Sequence, residues 1–146
     1  MSCLIYIING PNLNLLGQRE PDIYGTTTLE DVENICLEIA KKNNIKLKFL
    51  QSNAEHEIIN WIHNAREDAS GIIINPAAYS HTSIAILDAL TLFEEPIIEV
   101  HISNIHKREN FRHHSYISQK STAVIAGFGI DGYKIALKKL IELCSN

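Results

Sequence analysis

Five short runs rich in β-branched and other apolar residues recur along the chain, at 3–8, 46–51, 71–75, 97–101 and 123–126. Between them, apolar residues follow a helical period. Runs such as CLIYII and GIIIN are apolar at nearly every position, as in strands covered on both faces, and strands that alternate with helices build parallel sheets. Leu29, Val32, Cys36 and Ile39 recur at helical spacing, and Thr28 with Asp31 predicts a capping box at the start of that helix. Ser52 with Glu55 predicts a second box ahead of Ile58, Ile59 and Ile62. Thr82 or Ser83 is placed to cap a third helix carrying Ile86, Leu87 and Leu90, and a last helix is predicted over Asp131–Cys144. Right-handed crossovers then point to an α/β fold, a flavodoxin-like doubly wound sheet of five parallel strands with helices on both faces. With 146 residues and no repeat or linker, a single domain over 1–146 is expected.

A net charge of -4 and a pI near 5.9 give no general footprint for a polyanion, so nucleic acid is not an expected partner and any anion site must be local. Cys3, Cys36 and Cys144 are odd in number, far apart and set in apolar patterns, which reads as core thiols in a reducing compartment. The opening MSCLIYIING lacks a basic n-region, and its apolar run is too short for a signal peptide or a membrane span. A cytoplasmic protein with no membrane partner is expected.

Polar residues follow each of the first four runs: Asn9-Gly10-Pro11-Asn12, Ser52-Asn53, Asn75-Pro76, and His101 with Ser103. In an open α/β sheet these are the carboxyl ends of the strands, where ligands bind. Any one of them alone reads first as a helix cap or a turn, but four in register point to a polar site. Glu99, His101 and Ser103 alternate, so a strand period of two sends all three to one side. A carboxylate beside an imidazole inside an apolar strand is either a structural ion pair or an oriented, pKa-tuned acid or base.

Two stretches, 10–27 and 104–119, carry no regular pattern, and long loops in a compact domain are usually functional. The first holds Arg19 and Tyr24 between Gly17 and Gly25. These are either solvated surface residues or parts of a lid near 17–25 in which the guanidinium favours the tyrosine phenolate. The second holds Lys107, Arg108, Arg112, His113 and His114, which is either a solvated basic loop or the source of a guanidinium fork for a carboxylate. His81 can cap the third helix or join the same polar site.

GFGIDG at 127–132 matches the dinucleotide fingerprint, but no second strand follows to complete a βαβ unit, so a structural turn with close helix packing accounts for it better. No HExxH spacing exists and no cysteine pair lies near a histidine, so no metal is expected. There is no Walker loop and no GxSxG elbow. Lys41, Lys42, Lys46 and Lys48 fall at surface positions, and no lysine reads as a buried imine-forming nucleophile. A receiver domain would need acidic residues where Asn9 and Asn75 stand and a lysine near Gly127. A flavin-binding module would need a Ser/Thr-rich phosphate cradle in the first loop, which is missing.

Five blocks carry a resemblance: INGPNLNLLG at 8–17, REPDIYG at 19–25, QSN at 51–53, INPAAYSHTSIAILDAL at 74–90 and EVHISNIHKRENFRHHSYIS at 99–118. In this order, and together with the 127–132 turn, they resemble type II 3-dehydroquinate dehydratases along nearly the whole chain. The resemblance implies a cofactor-free hydro-lyase that converts 3-dehydroquinate to 3-dehydroshikimate through an enolate, in the shikimate pathway that leads to chorismate and the aromatic amino acids. It implies Tyr24 as the base, Arg19 as the stabiliser of its phenolate, His101 as the acid oriented by Glu99, and Asn12 as a contact that stabilises the enolate. Asn75, His81, Ile102, Ser103 and Arg112 are implied to bind substrate, Asp88 to reach a neighbouring subunit's site, and the subunits to form a dodecamer built from trimers. The chain departs from the family's usual pattern at Ala54 and His56, at Ala77 where glycine is common, and at Leu87 where arginine is common.

Overall fold

The computed structural model describes residues 3–18 and 21–145, with side chains for all of these except Ile23 and Tyr24. Strands β1 (Leu4–Asn9), β2 (Lys46–Gln51), β3 (Gly71–Asn75), β4 (Ile97–His101) and β5 (Ala123–Ala126) form a parallel sheet in the order β2-β1-β3-β4-β5. That order is the flavodoxin-like one. The helices are α1 (Pro21–Tyr24), α2 (Leu29–Lys42), α3 (Glu55–Asp68), α4 (Ile84–Thr91) and α5 (Asp131–Cys144). Strand bounds match the apolar runs except at β1, which starts at Leu4 and takes in Asn9. Among the described residues, the two patternless stretches contain only short pieces, the 3-10 turns Leu13–Leu15, Ile105–Lys107, Asn110–Arg112 and Ile117–Gln119 and the single turn of α1.

The unbroken apolar character of the central strands follows from two cores. Ile5 and Ile7 of β1 pack with Val32 and Cys36 of α2 and with Tyr133, Ala136, Leu137 and Leu140 of α5. Tyr6 and Ile8 point the other way, against Ile58, Ile62 and Ala65 of α3 and Ile86, Ala89 and Leu90 of α4. In β4, Ile98 and Val100 join the first core and Ile97 the second, so the strand's alternation sends Glu99 and His101 toward the side of α3 and α4.

Side chains close in sequence cap α2 and α4. Thr28 and Asp31 form the predicted capping box, with Asp31 N donating to Thr28 Oγ1 at 3.1 Å and Thr28 N donating to Asp31 Oδ2 at 3.0 Å. Ser83 caps α4 by accepting from Ile86 N at 2.9 Å. The box predicted at Ser52 and Glu55 does not form. Ala54 is the N-cap of α3, so Glu55 opens the helix instead of lying three residues inside it and cannot reach back. Ser52 accepts from Ala54 N at 2.9 Å, and the Glu55 carboxylate accepts from Ser83 Oγ at 2.5 Å, which ties α3 to α4.

The GFGIDG segment is the structural turn that its position suggested. Gly127 and Gly129 have φ of 88° and 60°, and their amides donate to His101 and Ile102 carbonyls at 3.2 and 3.0 Å. A Cβ at Gly132 would lie 3.2 Å from Val100 Cγ1, so its absence lets α5 settle close to the sheet.

Three separate core thiols are not what the structure holds. Cys3 and Cys144 are joined as a disulfide, with Cα atoms 6.2 Å apart across 141 residues of sequence, and only Cys36 is a free buried thiol. Helices in this fold run against the strands, so α5 ends at the edge of the sheet where β1 begins. Burial pushes the Cys36 thiol up to about 12.

A polar chain crosses the first core. The Tyr133 hydroxyl donates to Asn9 Oδ1 at 2.7 Å and accepts from Asn75 Nδ2 at 2.9 Å, with all three residues buried. Burial pushes the tyrosine's pKa up, so its hydroxyl stays a donor at all ordinary pH. Tyr133→Phe keeps the ring but leaves both amides short of a partner, and should lower stability by about 1–3 kcal/mol. Urea unfolding at unchanged slope reads this as a lower midpoint; a native midpoint would show that the amides find other partners. Ala77 adopts φ 52°, a left-handed conformation that an L side chain resists. Ala77→Gly should therefore raise stability by about 0.5–1 kcal/mol in the same measurement, and a lower midpoint would remove the strain argument.

Candidate active site

The sheet order reverses between β1 and β3, and the chains leaving their carboxyl ends pass close together. Gly10 N donates to Asn75 O at 2.8 Å, and a Cβ on Gly10 would lie 2.4 Å from the carbonyl oxygen of Pro76. Only glycine allows that approach. Asn12 follows with φ 70°, a conformation asparagine tolerates well, and its amide donates to Asn53 Oδ1 at 2.9 Å. Asn53 also accepts from Gln51 Nε2 at 3.2 Å, and its carbonyl accepts from the Tyr79 hydroxyl at 2.6 Å. The exit of β2 thus holds the first loop. Of the polar residues singled out there, Ser52 is buried beside α3, and Asn53 acts on Asn12.

A cleft opens at this switch point, lined by Asn12, Asn75, His81, His101, Ile102, Ser103 and Arg112 with Arg108, Leu13, Leu16 and Ile105. Seven of the residues expected at the site therefore converge. Asn75 arrives with its amide oriented, because Nδ2 donates to Tyr133 and Oδ1 accepts from Ala77 N at 3.2 Å. His81 Nδ1 faces the His114 carbonyl at 2.8 Å, so this nitrogen carries the hydrogen. Burial, with the charges of His101 and Arg112, lowers its pKa against the pull of that carbonyl, and the ring is neutral at pH 7. Arg112 Nε donates to Glu109 Oε2 at 3.0 Å, which holds the guanidinium by its inner nitrogen.

Glu99 and His101 are both buried, with His101 Nε2 against Glu99 Oε2. Burial pushes the Glu99 carboxyl up, but the bond and charge of His101 and the hydroxyls of Ser118 and Ser115 outweigh it and hold it below the ordinary range. An ionised Glu99 keeps a hydrogen on Nε2 and leaves Nδ1 as the nitrogen it does not engage. The pair is thus an oriented imidazole at the wall of a polar cleft, with cationic guanidinium groups nearby.

Arg19 and the side chain of Tyr24 lie outside the described residues. Asp88 sits on the exposed face of α4 and does not line this cleft. Arg108 lines the cleft although its sequence context marks it only as part of the basic segment; its spacing of four from Arg112 is the available signal. Leu13, Leu16 and Ile105 had none, since an apolar wall and an apolar core use the same residues. No lysine lines the cleft among the described residues, and no group of three or more His, Cys, Asp or Glu among them is placed to hold a metal ion. Among the described residues no helix is long and apolar enough to cross a membrane.

Residues 3–141 match the model of the family described as dehydroquinase class II. A 3-dehydroquinate dehydratase 2 from Agrobacterium fabrum is 63% identical over 142 residues, covering 97% of each chain. A 3-dehydroquinate dehydratase from Cereibacter sphaeroides is 59% identical over 145 residues, covering 99% of each. The crystal structure of a type II dehydroquinase from Propionibacterium acnes superposes with a TM-score of 0.93 at 48% identity, over 97% of this chain and 98% of that one. The matches run along nearly the whole chain, and the chain belongs to the class II dehydroquinase family.

Proposed function

We propose that this chain removes water from 3-dehydroquinate to give 3-dehydroshikimate through an enolate, a step of the shikimate pathway toward chorismate and the aromatic amino acids. The observation that carries the reading is the buried Glu99–His101 pair at the wall of a cleft that also holds Arg112 and uncharged amides. The elimination is redox-neutral, so it calls for one base, one acid and a place for an oxyanion, and no cofactor.

In this reading Tyr24 takes the proton from the carbon beside the ketone, with Arg19 stabilising its phenolate and a lid near 17–25 bringing both to the cleft. The electron pair moves onto the ketone oxygen as an enolate, where Asn12 or a water it holds stabilises the charge. His101 then gives its proton to the departing hydroxyl as the carbon–oxygen bond breaks, and the enolate collapses to the enone. Water leaves, and proton exchange with solvent resets the two residues. Asn75, neutral His81, Ser103 and the backbone at Ile102 bind hydroxyls and carboxylate. Because Glu109 occupies Nε, a carboxylate meets Arg112 at its terminal nitrogens.

A dodecamer built from trimers belongs to the same proposal. Asp88 lies on α4 with exposed Ile84 one turn away and exposed Leu92 just beyond the helix, an uncovered face from which Asp88 reaches a neighbouring copy's cleft. A single domain over 1–146 acting in the cytoplasm completes the reading; there the Cys3–Cys144 pair meets a reducing poise.

The primary test is the ultraviolet absorbance of the conjugated enone when purified protein meets 3-dehydroquinate; no rise would remove the proposal. Tyr24→Phe should lower kcat by about 10²-fold or more with KM near native, and near-native turnover would cost Tyr24 its role as base. Arg112→Ala should raise KM by about 10–100-fold through loss of a charge-assisted contact, a role that an unchanged KM would rule out.

A further inference from the structure

We infer that Ser115 and Ser118 are positioning residues for the proton donor His101, acting on it through Glu99. This rests on the reading of His101 as the acid and adds to it the part of the chain that holds the acid in place.

Glu99 lies in the middle of a buried strand, where an ionised carboxylate survives only if hydrogens reach both oxygens. Its neighbours across the sheet, Ile74 on β3 and Val124 on β5, offer none. Ser115 Oγ donates to Oε2 at 2.7 Å, the oxygen that also faces His101, and Ser118 Oγ donates to Oε1 at 2.7 Å. Ser121 Oγ lies 3.4 Å from Oε1 but 2.9 Å from the Ile117 carbonyl. A hydroxyl has one hydrogen, so that of Ser121 goes to the nearer carbonyl and the donors are Ser115 and Ser118.

Held at both oxygens, the carboxylate cannot swing away from the imidazole. Donated hydrogens also draw charge from it and lower its proton affinity, so the shared proton stays on His101 and Glu99 remains a fixed anion. Neither serine lines the cleft, and both hydroxyls donate to Glu99, so their effect on His101 passes through that carboxylate. The ionisable group coupled by charge to both members of this pair is His81, on which Arg112 acts in turn; the segment that carries the serines brings their hydroxyls and buried Ile117, with Lys120 as its one charged residue. That segment is itself anchored, by Tyr116 N donating to Ser80 O at 2.9 Å and by buried Ile117. It begins three residues after Arg112, so one set of contacts fixes both the anion behind the acid and the downstream end of the basic loop.

The test compares Ser115→Ala and Ser118→Ala with Ser118→Thr, which keeps the hydroxyl. Two readouts are used: steady-state kinetics, and a carbon NMR titration of the Glu99 carboxyl in glutamate-labelled protein. The native carboxyl is held below its ordinary pKa and stays ionised as pH falls until that lowered value. Losing a donor raises the value, so each alanine variant should protonate Glu99 about one pH unit higher. With it, kcat should fall about tenfold at unchanged KM, and Ser118→Thr should restore both. Native titration and native kcat in both alanine variants would overturn the inference. A slow His101→Ala variant in the same experiment would confine that failure to the serines, whereas a His101→Ala variant with full turnover would overturn the reading of the acid as well. Should an alanine variant fail to fold, Ser118→Cys supplies a weaker donor in similar volume, and its titration must shift in the same direction.

Discussion

An ionised carboxylate buried in the centre of a strand imposes demands on everything around it. Glu99 needs donors at both oxygens, and β4 alone can offer only His101, two residues along on the same side. The remaining hydrogens come from Ser115 and Ser118, so the chain after the basic loop must fold back over this face of the sheet. The energetic argument is one-sided. An unmet buried charge costs several kcal/mol, whereas two hydroxyls and an imidazole turn the same group into a fixed anion. The course of residues 102–121, and with it the place of Arg108 and Arg112, follows from that requirement.

The other wall of the cleft depends on neutral groups. Gly10 lets the exits of β1 and β3 touch, and the amides of Asn9 and Asn75 are then oriented through the single hydroxyl of Tyr133 on α5. Asn53 at the exit of β2 holds Asn12 in its left-handed conformation. One wall thus carries the titrating pair and the cations, and the other is built from amides whose orientation does not change with pH. This division suits an elimination, in which charge appears on an oxygen and a proton must be delivered on the opposite side.

Ala77 and the cysteines show how local and long-range constraints differ. A backbone at φ 52° is one that glycine adopts without strain and alanine does not, and the strain belongs to the turn itself. Cys3 and Cys144 gave no sign of pairing because nothing near either one refers to the other. Their meeting depends on the whole sheet being wound before the last helix returns along it.

By itself the sequence determined the strands, the helices and their capping where the cause lay within a few residues, as at Thr28 with Asp31, and it marked the strand ends as the polar region. The resemblance of its ordered blocks also named the family and the polar residues Asn12, Asn75, His81, His101, Ser103 and Arg112 of the cleft. Tertiary structure alone decided that Glu55 serves Ser83 instead of its own helix, that Asn53 acts on Asn12, that Arg108 joins Arg112, and that two serines from beyond the basic loop hold Glu99. The physical reason is range. Periodicity and capping are set by neighbours along the chain, whereas the partners of a buried polar group are whichever donors the crossovers bring within about 3 Å, and those cannot be read from spacing.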